Sequence, residues 1–161
     1  MNAKRVLALL ALFAAPSAIA RAPADTPPPQ PTLESIRVQL YYELSGSLSA
    51  NIAPPATFSG WNTVIGEGDA KEAAQDVLVS VHLTGNGVDA FLTETPLVIT
   101  ARNGAGKVIG TRSINGVLVP YQGTVSNVLW LQNATCVGKL NIEARFGKMV
   151  KKTAVNLDCG E

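Results

Sequence analysis

The sequence is short of the residues that most chemistry requires. Histidine occurs once, at His82, and no G-x-S-x-G or comparable motif accompanies it, so a base paired with a nucleophile has no support in the sequence. Cysteine occurs twice, at Cys136 and Cys159; bonded to each other they leave too few soft ligands for a zinc or copper site. No C-x-x-C spacing marks a catalytic dithiol. Basic residues show no excess, 13 Lys and Arg against 12 Asp and Glu, which excludes a phosphate-backbone reader and so nucleic acid. Gly104-Ala105-Gly106-Lys107 lacks the spacing of a phosphate loop, and no cofactor is expected. Amphipathic helix is missing too: Glu67–Asp76 has helical composition over a turn or two but no apolar stripe. No internal repeat is present.

The one long apolar run is at the start. Lys4 and Arg5 precede Val6–Ala15, and Ala18-Ile19-Ala20 completes an A-x-A site, so residues 1–20 read as a secretory signal. Ten or so apolar residues fall short of the roughly 20 of a spanning helix, and no transmembrane segment is expected after cleavage. The chain is therefore expected to be exported, periplasmic or secreted. Cleavage would remove two bases and no acid, leaving eleven against twelve and a formal charge of −1.

Residues 21–32 carry five prolines in twelve positions and read as a disordered linker; residues 33–161 form the domain. From Leu33 onward the period is two. Ile36, Val38, Leu40, Tyr42 and Leu44 alternate with Arg37, Gln39, Tyr41 and Glu43, and Val77, Val79, Val81 and Leu83 alternate with Leu78, Ser80, His82 and Thr84. Leu97–Ile114 reads as a hairpin about Asn103–Gly106, followed by strands in Gly116–Pro120 and Thr124–Gln132. His82 falls on the solvated face of its strand. The expected fold is all-β: a two-sheet antiparallel immunoglobulin-like sandwich with a disulfide-closed C-terminal hairpin.

That hairpin turns at Gly147-Lys148. Glycine at the first central position suits a type II′ turn, and cross-strand partners then have numbers summing to 295, which Cys136 and Cys159 satisfy. Both cysteines would lie on the inner face. A two-residue turn, however, makes them a hydrogen-bonded pair, whose splayed side chains suit a disulfide poorly. Either Gly138 marks a bulge, or a four-residue turn closed by Arg145 and Val150 shifts the pair type; the second reading is preferred. In an oxidising compartment the expected bond is structural.

Four features could carry function. Trp61, in Phe58–Gly68, could anchor a partner, although a lid over the core is the favoured reading. Lys139, Arg145, Lys148, Lys151 and Lys152 gather about the last turn, relieved by Glu143; they could meet an anionic polymer or an acidic partner, while lysines on an edge strand also discourage aggregation. Glu67, Asp69, Glu72 and Asp76 crowd one loop without the spacing of a calcium site and read as a solvated connection. Asn133-Ala134-Thr135 fits the glycosylation sequon, a frequent chance match.

The Asn103–Ile109 hairpin and the cysteine-linked hairpin resemble immunoglobulin or fibronectin type III modules of bacterial exported proteins, over about residues 70 to 161. Trp61–Gly68 and the Cys159-Gly160-Glu161 ending are similar to small exported proteobacterial proteins. The bridge departs from antibody domains, where it joins facing sheets, so no antigen-receptor role follows. With no nucleophile and base to suggest an enzyme, the first expectation is a non-catalytic periplasmic module that binds or scaffolds an envelope protein or a surface polymer. The alternatives are a pilus or envelope assembly subunit or chaperone, and a small secreted enzyme or enzyme inhibitor acting through Phe58–Glu72.

Overall fold

The structure, a computed structural model, describes residues 31–85 and 89–160. The expected signal and the expected linker through Gln30 lie outside the described residues. The strands are β1 (Thr32–Tyr42), β2 (Ser47–Leu48), β3 (Asp76–Gly85), β4 (Phe91–Leu92), β5 (Leu97–Arg102), β6 (Val108–Ile114), β7 (Leu118–Val119), β8 (Gly123–Leu131), β9 (Gly138–Phe146) and β10 (Met149–Leu157). The chain is all-β, and helical backbone among the described residues is confined to one 3-10 turn at Thr63–Ile65. A first sheet has the order β2-β1-β3-β8 and a second the order β10-β9-β5-β6, with β4 and β7 forming a small separate ladder. The named strands pair antiparallel throughout, as in an immunoglobulin-like sandwich.

Period-two alternation builds the core directly. Val77, Val79, Val81 and Leu83 of β3 are fully buried, and across the gap lie Leu97, Ile99 and Ala101 of β5 and Leu140, Ile142 and Ala144 of β9. His82 is on the opposite face, as expected, but half-buried. The face predicted for the first strand stops short, because Leu44 is 86% exposed. β1 ends at Tyr42, whose carbonyl accepts the Gly46 N–H at 2.8 Å, and Leu44 is carried out on the turn so formed.

The last hairpin keeps the expected register, from Phe146↔Met149 out to Gly138↔Leu157. Its turn, however, has two residues, not the preferred four: Gly147 has φ +57° and Lys148 does not share the positive φ, as a type II′ turn requires. The disulfide is accommodated at Gly138. Its φ of +69° ends the ladder and re-aims the chain, so Cys136 and Cys159 bond at a Cα–Cα distance of 5.2 Å beyond the paired region. Contrary to the inner-face reading, Cys136 is exposed and Cys159 half-buried; the bond clamps the rim of the sandwich.

Side chains guard the sheet edges. Beside β1, Ser49 Oγ accepts the Leu40 N–H and Asn51 Oδ1 accepts the Val38 N–H, each at 2.9 Å, while the Ser49 and Ile52 amides donate to Leu40 O and Val38 O. An irregular segment thus does the work of a strand. At one side of the sandwich Lys151 of β10 donates to the Glu34 carbonyl of β1, and at the other Arg112 of β6 donates to the Val128 carbonyl of β8 at 2.5 Å. Both are charges that reach across to the opposite sheet from an edge strand, a recognised device against edge pairing.

Candidate functional site

The long connection between β2 and β3 builds the least regular part of the molecule. Gly60–Asn62 lies parallel to the end of β10: the Asp158 N–H donates to Gly60 O at 2.9 Å and the Asn62 N–H to Asp158 O at 2.8 Å. Asn62 takes the left-handed conformation, φ 47°, and its side chain fastens two neighbours. Its Oδ1 accepts the Gly160 N–H at 2.6 Å, and its Nδ2 donates to Glu67 Oε2 at 2.8 Å. The return limb closes the knot, with the Asp69 N–H on Ser59 O at 3.0 Å and the Ser59 N–H on Asp69 Oδ2 at 2.7 Å.

The knot turns Thr63 fully inward and holds Trp61 and Ile65 out, 50% and 65% exposed. Trp61 is therefore no lid over the core. Its indole lies against the backbone of Gly160, with much of the ring open to solvent. Asp158 and Gly160, on either side of Cys159, hold it, so the disulfide that anchors Cys159 also anchors the tryptophan.

The acidic residues of this loop do not converge. Asp69 and Glu67 serve Ser59 and Asn62 as described; Glu72 Oε2 accepts the Ser45 N–H at 3.1 Å, and Asp76 accepts from Trp130 Nε1 at 2.7 Å and the Asn133 N–H at 3.0 Å. Among the described residues no three His, Cys, Asp or Glu side chains gather as a metal site would need. Trp130, 41% exposed, stands edge-on to Tyr41 with ring centroids 5.0 Å apart on the open face of the first sheet. Sequence reasoning passed over Trp130, although its place between the buried Leu129 and Leu131 already directs it outward.

The basic group is dispersed by the hairpin register. Glu143 Oε1 meets Arg145 at 3.0 Å and Oε2 meets Lys152 at 2.9 Å, while Lys151 is engaged at the Glu34 carbonyl and Lys148 occupies the turn. Trp61 is at the other end of β10, so the structure does not unite it with these cations. Hydrogen bonds from Lys152 and then Arg145 hold the Glu143 carboxyl below the ordinary glutamate range. A depressed folded pKa stabilises above the ordinary value, and that contribution is lost as pH falls through the depressed one. Solvent screening keeps it under about 1 kcal/mol. Glu143→Gln should lower stability by no more than this near neutral pH and match the parent in acid; urea unfolding at both pH values checks it.

His82 Nδ1 lies 3.2 Å from Ser35 Oγ, and among the described residues that hydroxyl is its only side-chain partner. The nearby Glu34 carboxylate is taken up by the Thr84 and Thr124 hydroxyls, which hold its pKa down, so among the described residues no carboxylate hydrogen-bonds the ring.

No family model matches the chain, and no curated protein matches it. Among solved structures it is similar to a β-glucuronidase from glycoside hydrolase family 2, at 14% identity and TM-score 0.38 over 51% of this chain and 10% of that one. A Bacteroides fragilis protein assigned as a β-galactosidase gives 22% identity and 0.38 over 48% and 13%. The ligand binding region of serine-glutamate repeat protein A of Enterococcus faecium gives 11% identity and 0.30 over 52% and 83%. The similar segment is thus about a tenth of each of the first two proteins, and at these scores the likeness says nothing of activity or ligand.

Proposed function

We propose that this chain is a non-catalytic module of an exported protein and that it holds a partner through the Trp61 loop. The observation that carries the reading is an indole kept half in water by a loop whose shape is over-determined. A left-handed Asn62, a backbone bridge to Asp158 and reciprocal Ser59–Asp69 hydrogen bonds all fix its presentation. A hydrophobic ring costs free energy when left exposed, and a loop fixed in advance loses little entropy when it binds. Strained backbone of this kind collects at ligand clamps.

Export agrees with the disulfide, which persists in oxidising compartments, and among the described residues no helix is long and apolar enough to cross a membrane. Assembly by strand donation is the weaker alternative, since the β1 edge is already occupied by Ser49, Asn51 and Ile52. A photo-crosslinking residue at position 65, expressed in the native host, should yield a discrete adduct, while the same residue at the exposed Val150 should not. Absence of an adduct at 65 overturns the proposal.

A further inference from the structure

The charge around Trp61 goes further than the ring itself. Between Glu43 and Asp76 the chain holds five acidic residues and a single base, Lys71, a formal −4 in a protein whose total is +1. Glu67 and Asp69 are the acids whose carboxylates are fastened to the knot, through Asn62 and Ser59, and Asp158 joins it by its backbone. All three are exposed. Their fixed partners are neutral amides, which set position without cancelling charge. Among the described residues both ion pairs belong instead to Glu143, on the second sheet. The knot therefore presents uncompensated carboxylates around an open indole, with a second exposed apolar side chain at Ile65.

We propose that the partner held at this end is a basic stretch of polypeptide, with an apolar side chain packed on Trp61 and lysines or arginines meeting Glu67 and Asp69. This rests on the Trp61 loop being the contact. The sign of the charge excludes an anionic polymer, which the rim repels. An uncharged glycan would use the indole and leave the carboxylates without a counter-charge. Cations gain twice here, from the carboxylates and from the free face of the indole. The acids extend along the loop to Glu72, beside Ser45, a span suited to several residues of a chain rather than to one small cation.

The test is selection of a random dodecapeptide phage library on the oxidised, signal-cleaved protein, with counter-selection on Trp61→Ala, followed by titration calorimetry of synthesised winners at low and high salt. The expected winners are rich in Lys and Arg with an aromatic or aliphatic residue between them, and their binding weakens with salt. Their affinity should fall by about tenfold or more both with Trp61→Ala and with the pair Glu67→Gln and Asp69→Asn. The amide variants keep an acceptor oxygen for Asn62 and Ser59, so the knot survives while the charge goes; unchanged melting temperature and near-ultraviolet dichroism verify this. Acidic or uncharged winners, no peptide that separates parent from Trp61→Ala, or indifference to the amide pair overturns the proposal. So does binding of heparin or a neutral glucan that disappears with Trp61→Ala. A missing adduct at position 65 fells the underlying reading instead, whereas an adduct formed with an acidic or saccharide partner fells only this one.

Discussion

Replacing Cys136 and Cys159 together by alanine is expected to lower the unfolding free energy by about 3 kcal/mol, the chain-entropy value for a loop of this size. The two residues are 23 apart in sequence and close the last hairpin at its open end, past the Gly138↔Leu157 pair where the ladder stops. With no β9–β10 pairing beyond that point, the disulfide is what ties the two strand ends directly to each other. The effect should also reach Trp61. Cys159 sits between Asp158, which bridges to the tryptophan, and Gly160, which Asn62 holds. Urea unfolding should show the stability loss, and indole emission below the transition should move to the red as the knot loses its floor. Parent-like stability in the double variant, or in the reduced protein, would contradict this account of the hairpin.

Gly60→Ala should cost about 1–3 kcal/mol, the usual penalty for forcing atoms into a filled site. A Cβ at this position would come within 2.1 Å of the Asn156 carbonyl oxygen and 2.9 Å of Leu157 Cδ2. The first obstacle is backbone of β10 and cannot swing aside, so the loop must lift. Lifting breaks the hydrogen bonds to Asp158 and takes Trp61 off Gly160. The variant should therefore lose peptide binding while retaining the far-ultraviolet dichroism of the sandwich. Thermal unfolding and calorimetric titration read the two effects separately, and an alanine variant that binds normally would show that the close approach is not needed for presentation.

The regular strands were legible because alternation records burial one residue at a time. Val77–Leu83, Leu97–Ala101 and Leu140–Phe146 each point every second side chain into the same core, and the register of the last hairpin could be counted from the cysteines. The cysteine geometry was legible only as a choice, since whether Gly138 or the turn absorbs the mismatch depends on a backbone angle that composition does not encode. Leu44 was lost for a related reason: an apolar residue in phase with a strand gives no sign that the chain has already turned. Residues 45–75 were the opaque part. They are organised by contacts distant in sequence, Asn62 with Gly160 and Gly60 with Asp158, and by side-chain acceptors standing in for a strand. Trp61 could be singled out as a residue but not as an exposed one, because what lies under its ring comes from the far end of the chain.

The use of Ser49 and Asn51 in place of a neighbouring strand has a consequence for the motions of the molecule. Ladder hydrogen bonds reinforce one another, whereas these acceptors can be withdrawn one rotamer at a time. The amides of Val38 and Leu40 are therefore expected to exchange their protons through local opening, at a lower free energy than the amides of the buried ladders in β3, β5 and β9, and hydrogen-exchange rates at these positions check it.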